Sequence, residues 1–299
     1  MADTDRHPME QRRIPFTFPD DIEGVWIPGK PELTAMINGA SLTMPYLEPF
    51  LIRTVREAAE QIHSDALRAD AHEFNAQEGQ HFRAHRRFND LIKAQRYPEL
   101  GKVEAEMSDS FARLDERSLR TRMAYTAGFE SMTLGVTEWL IGRRRQLFRG
   151  ADPRVVSFLL WHMVEETEHK RVAYDLYQHL FGGDLRGYLA RMIGVFHGSF
   201  DVMRFAMRGY RIILLKDGRW SSFRSRLSLA RHLCEFVINV GPYLLRAALP
   251  GHNPRSEKDS QWVLDWLAAY RNAEPGHLPM IDTLHPDMPV PFPTQRQLA

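Results

Sequence analysis

The chain has 299 residues, with 39 Lys and Arg against 38 Asp and Glu, 43% hydrophobic residues and a single cysteine. That length allows one large domain or two modest ones around a sizeable core. A net charge of +1 excludes the strong basic excess of an electrostatic nucleic-acid binder, and the lone Cys234 excludes an intrachain disulfide or a cysteine metal cage.

Prolines divide the chain. Of the 18, only Pro98 and Pro153 lie between residues 50 and 241, so that stretch is free to form long helices. Residues 1–40 are polar and proline-dotted, without the apolar core of a secretory signal, and are expected to be an extended segment. Helical periodicity then predicts a helix over about Pro45–His63, a turn at Ser64-Asp65, and a second helix over about 65–95 that ends near Tyr97-Pro98. A third helix is expected from about Ser118 to Phe148. Gly150 and Asp152-Pro153 supply a stop and a new start, and a fourth helix runs to about Phe181. Two long helices, about 185–215 and 222–247, and a short one, about 258–271, complete the pattern. The tail from about 273 to 299 is too rich in proline for regular structure, so it is either a surface strap or disordered. No run of about 18 uncharged apolar residues exists to cross a membrane, and the lone cysteine suits the cytoplasm. The fold class is all-α: residues 41–182 form a four-helix bundle and 183–272 add two or three helices packed on it.

Glu-x-x-His places a carboxylate and an imidazole on one helix face. It occurs four times. Glu60/His63 falls where a helix gives way to a turn, and Glu274/His277 contains Pro275, so neither is expected to act. Glu78/His81 and Glu166/His169 fall mid-helix, and each follows a helix with a glutamate on an apolar or small face, Glu48 and Glu130. The midpoints, residues 63 and 148, lie at or beside the expected turns, so antiparallel neighbours would bring all six to one level. Four carboxylates and two imidazoles suit two divalent ions. Pro49 beside Glu48 requires the first helix to start near Leu47 or to kink. Glu138 is a rival to Glu130, but its neighbour Arg145 suggests a solvent edge. His85 continues the Glu78/His81 stripe as a supporting or exposed group, Glu165 and Glu168 lie off the motif face as solvated residues, and Arg143-Arg144-Arg145 suits a helix C-terminus.

The order Glu, Glu-x-x-His, Glu, Glu-x-x-His resembles that of the ferritin-like di-iron carboxylate proteins, and the segments QEGQHFRAHRRFN (77–89) and WHMVEETEHKRVAYDLY (161–177), with HNPRSEKDSQWVLDWLAAY (252–270), carry a closer resemblance. More specifically, the chain resembles, over roughly residues 40–272, a bacterial family described as predicted metal-dependent hydrolases. A more distant resemblance is to the di-iron arylamine N-oxygenases, which have an extra histidine one turn before the second motif. That resemblance implies His162 as a seventh ligand beside Glu48, Glu78, His81, Glu130, Glu166 and His169.

The donor set leads to a first expectation of two iron ions and a dioxygen-activating oxidase or oxygenase. Manganese and zinc are the alternative metals. A hydrolase using a metal-bridging hydroxide is the alternative function, as the family description implies, and a non-catalytic iron-binding bundle is the second. The expected partners are a small apolar or aromatic substrate, dioxygen and an electron-donor protein, with a homodimer as a further expectation and no nucleic acid. The helix near 185–215, mixed in Phe, Met and Arg, is expected to pack on the bundle, with a lid or a membrane-surface face as the sharper reading.

Overall fold

The computed structural model describes residues 9–274 and 276–292, and among these the regular structure is entirely helical. In chain order the helices are α1 Pro31–Ser41, α2 Met44–Glu60, α3 Asp65–Gln95, α4 Leu100–Asp115, α5 Leu119–Gly142, α6 Arg144–Phe148, α7 Pro153–Phe181, α8 Leu185–Lys216, α9 Phe223–Ala248 and α10 Gln261–Arg271, with a 3₁₀ turn at Pro254–Ser256. Among the described residues, no helix is long and apolar enough to cross a membrane.

The expected punctuation sets the register. Ser64 Oγ accepts the Leu67 N–H at the start of α3, and the Asp152 carboxylate accepts the Arg154 N–H with Pro153 in the first turn of α7. Such caps satisfy backbone donors that the helix itself leaves unpaired. Short turns fold α2 back along α3 and, through α6, α5 back along α7. α3 then meets α7 and α2 meets α5, closing a four-helix bundle.

Pro49 sits inside α2, which starts at Met44 without being displaced. Pro49 has no N–H for the Pro45 carbonyl, and that carbonyl accepts a bond from Arg86 Nη2 at 3.2 Å instead. The neighbouring helix thus repairs the ladder, and Glu48 stays buried.

Four sequence expectations need correction. The segment before residue 41 is extended only in part, because Pro31 opens α1 and Leu33 and Ala35 enter the core. α4 was not anticipated, although Leu100, Val103, Met107, Phe111 and Leu114 bury a stripe at helical spacing. The third helix breaks at Arg143, after Gly142. Arg144 and Arg145 do not merely complement a helix end. Arg144 Nε donates to the Met288 carbonyl at 2.9 Å, and Arg145 pairs with Asp287 at 3.2 Å. They hold the tail, whose described residues 276–292 form a strap without regular structure. Gly150 N–H bonds the Thr283 carbonyl, and Ile281 N–H bonds Ser157 Oγ.

α8 packs on α5 and α1, and α9 packs on α5 beside α8. Glycine permits the α5–α8 crossing: a Cβ on Gly128 would lie 2.3 Å from the Gly194 carbonyl group, and one on Gly194 2.0 Å from Ala124 O. No side chain fits at either position.

Candidate metal centre

The bundle brings Glu48 from α2, Glu78 and His81 from α3, Glu130 from α5, and His162, Glu166 and His169 from α7 into its interior. All seven are 3% exposed or less. The i, i+3 spacing does this within α3 and α7, and the two turns bring the four levels together. The discarded pair Glu60/His63 is exposed, as are Glu274 and His277.

Glu78, His81, Glu166 and His169 form one group whose potential ligand atoms all lie within 4.8 Å of one another. Both imidazoles turn Nδ1 inward. His81 Nδ1 is 3.6 Å from Glu78 and 4.0 Å from Glu166, and His169 Nδ1 is 3.3 Å from Glu78 and 3.6 Å from Glu166. Both Nε2 atoms point outward to a partner: His81 to Glu165 at 2.8 Å and His169 to the Gln77 amide oxygen at 2.8 Å. These bonds fix ring orientation from behind, as partners of metal-bound histidines do.

The partners are anchored in turn. Arg12 bonds Glu165 at 3.1 Å and Glu168 at 2.7 Å, and Gln77 Nε2 donates to Glu168 at 2.9 Å. Glu165 and Glu168 are therefore buried members of the centre's support, not the solvated residues that their positions on α7 suggested. Sequence reasoning missed Arg12 as well. It lies 153 residues from Glu165 in a segment with no helical periodicity, and nothing local signals its destination.

Glu48, His85 and His162 form a second such group. His162 Nε2 is 2.7 Å from Glu166 and 3.7 Å from Glu48, and its Nδ1 is 2.8 Å from His85 Nε2. His85 Nδ1 meets Ser41 Oγ at 2.8 Å, and Ser41 donates to Asn89 at 2.7 Å. His85 is thus neither exposed nor idle: it lies close enough to be a ligand and it holds His162. Glu130 stands outside both groups: Thr133 Oγ1 donates to its Oε2 at 3.3 Å, and its Oε1 has no hydrogen-bond partner. Its rival Glu138 lies instead near Ser260, Asp259 and Lys170. Tyr125 packs against Phe50 and Phe111, and Tyr174 bonds the His252 carbonyl, so both serve packing.

Burial and mutual charge set the electrostatics of these groups. Burial, with the charges of Glu78 and Glu166, raises Glu48 well above the usual carboxylate range, and burial beside Glu166 does the same to Glu130. Burial also raises Glu78. Glu166 goes the other way despite its burial, because His169 and His162 favour its charge. His169 rises correspondingly, overcoming burial through Glu166 and Glu78, whereas burial and neighbouring imidazoles hold His81 and His85 well down. Glu165 is pushed up to about 8 by burial against the pull of Arg12.

Buried polar atoms are normally bonded, and leaving one unpaired costs on the order of 1–3 kcal/mol. Here both oxygens of Glu48 and Glu78, one each of Glu130 and Glu166, and the inward Nδ1 atoms of His81 and His169 have no hydrogen-bond partner. Eight orphaned donor atoms converging on one interior region fit a mixed oxygen and nitrogen shell for divalent ions.

Beside this region is a cavity of about 150 Å³. Its wall is apolar, with residues such as Leu33, Phe129, Met132 and Phe158, and it reaches Ser41, His85, His162 and Glu166. Glu78, His81 and His169 are not part of its lining. The cavity therefore meets the centre on the His162 side only.

A family model described as predicted metal-dependent hydrolase matches residues 10–258. No curated protein and no solved structure matches the chain. The match covers most of the sequence, and the chain belongs to that family.

Proposed function

We propose that this member of the predicted metal-dependent hydrolase family is a two-metal hydrolase acting on a small apolar substrate. Its proposed ligands are Glu48, Glu78, His81, Glu130, His162, Glu166 and His169. The observation that carries the reading is the set of eight buried, partnerless donor atoms beside an apolar cavity. The donor set accommodates zinc, manganese or iron. Two bound ions would acidify a water and polarise a scissile carbonyl.

The chain's own residues supply the rest. The cavity wall excludes water and holds the apolar part of the substrate against His162 and Glu166. The hydrogen-bonded run from Glu166 through His162 and His85 to Ser41 keeps a fixed set of protons between the centre and the cavity wall. Burial and the charge of Glu166 raise the affinity of Glu130 for a proton.

The family description favours hydrolysis over the oxidative chemistry that the donor set first suggests. One observation favours the second reading, oxidation by dioxygen at two iron ions with an electron-donor protein. The cavity offers a polar scissile group only the edge formed by Ser41, His85, Thr133, His162 and Glu166, and its remaining lining is apolar. The test is a single preparation loaded in turn with zinc, manganese and ferrous iron, and assayed against aryl esters and amides of graded size. Hydrolysis with zinc or manganese under anaerobic conditions supports the proposal. Turnover only with ferrous iron, with stoichiometric loss of dioxygen, replaces it by the second reading.

A further inference from the structure

The exposed large apolar side chains gather on one layer of the molecule. Along α8, Leu185, Leu189, Ile193, Phe196 and Phe200 follow one another at steps of four and three residues, each 41–70% exposed. The same stripe continues with Arg204, Arg208 and Arg211 to Leu215. On α9, Phe223, Leu227, Val237, Ile238, Leu245 and Leu249 are 58–79% exposed. Contiguous apolar surface of this kind marks an interaction site in a soluble fold.

The two helices run antiparallel. Arg191 near the start of α8 bonds the Ala247 and Leu249 carbonyls at the end of α9, and Tyr188 bonds the Ala248 carbonyl at 2.9 Å. Both lie on α5, so their outer faces look the same way.

Charge selects the occupant. Between residues 185 and 249 there are eleven Lys and Arg against three acids, a net +8 in a chain whose total is +1. Some of these cations are paired: Arg208 with Glu106, Lys216 with Glu99, Arg219 with Glu32, Arg231 with Glu235 and Arg246 with Glu257. Arg186, Arg211, Arg224 and Arg226 are exposed and have no carboxylate partner among the described residues. A two-fold dimer would set this face against itself, cation against cation. An apolar stripe flanked by arginine is instead what an anionic lipid surface takes up, with the helices lying in the interface plane.

We propose that the α8–α9 layer seats the protein on the surface of anionic phospholipid bilayers. The cavity beside the metal centre reaches this layer, since half-buried Met203 and Met207 of α8 and Phe236 of α9 line it. A bilayer-bound molecule would therefore present its cavity close to a source of apolar compounds. The proposal does not depend on which reaction the centre performs.

Cys234, the single cysteine of the chain, is exposed on the α9 stripe and takes an environment-sensitive fluorophore. The full chain, labelled for fluorescence and unlabelled for co-sedimentation, is mixed with phosphatidylcholine vesicles with or without phosphatidylserine. Binding and a blue shift are expected only with phosphatidylserine, and both weaken as salt is raised. The variants Arg224→Glu/Arg226→Glu and Phe196→Ser/Phe200→Ser should each lower partitioning by at least about tenfold, with helical content retained by circular dichroism. Sedimentation equilibrium without vesicles should give a monomer. Failure of a folded monomer to bind, or equal binding to both vesicle types, overturns the proposal. So does a vesicle-independent blue shift that grows with protein concentration, which would make the face a contact between copies.

Discussion

The two sides of the centre are built differently. On the side of Glu78, His81 and His169, each imidazole is held from behind by a protein acceptor, Glu165 or Gln77, and Arg12 locks Glu165 directly and Gln77 through Glu168. The apolar cavity is not lined by these residues. On the side of Glu48 and His162, the histidine is held by another histidine, which rests on Ser41, and the apolar cavity opens against both rings. The first side is organised to stay fixed. The second is organised to be approached, and a substrate would meet it first.

Breaking the lock on the closed side should have the largest effect. Arg12→Ala leaves Glu165 and Glu168 buried without their cation, and removing one partner of such a group costs about 3–5 kcal/mol. Urea denaturation of the metal-free protein should register that loss. A change below about 1 kcal/mol would mean that Arg12 is not a lock.

The next effect separates the sides by metal affinity. Residues behind a metal-bound histidine contribute about 10–100-fold in affinity. Gln77→Ala should weaken one metal by that factor and leave binding of a small aromatic in the cavity unchanged. His85→Ala should weaken the other and also alter the cavity. Competition with a chelator and ligand-detected NMR read the two separately, and identical profiles for both variants would erase the distinction.

The smallest effect is on pH dependence. Glu48, Glu78, Glu130 and His169 all have folded affinities for protons above their ordinary values of 4.5 and 6.5. Above about pH 6.5 the unfolded chain has released these protons while the folded chain still binds some, so stability must fall as pH rises. His81 and His85, lowered in the fold, are neutral in both states there and do not oppose it. The melting temperature of metal-free protein should therefore drop toward alkaline pH. Glu48→Gln should flatten the drop, and saturating metal should abolish it. A rising curve would contradict the assigned directions.

Much of the bundle was legible because its signals are local. Ser64, Gly150 and Asp152-Pro153 mark turns through capping chemistry, and Glu-x-x-His exposes itself through helical spacing. Glu48 was readable from order and distance, but the harmlessness of Pro49 was not, since it depends on Arg86 from another helix. Glu165 and Glu168 were misread for the same reason: a helical face predicts solvent unless a distant segment covers it, and the covering residue, Arg12, carries no local signal. α4 was different, because its apolar stripe from Leu100 to Leu114 is a local signal but carries no motif.

The most direct test of the centre is its metal count. Elemental analysis of protein purified from its source should give about two equivalents of a divalent transition metal per chain. Changing Glu78, His81, Glu166 and His169 together to alanine should remove them while circular dichroism shows the helices retained. Metal that survives this substitution, or a folded natural protein that takes up none, would contradict the account.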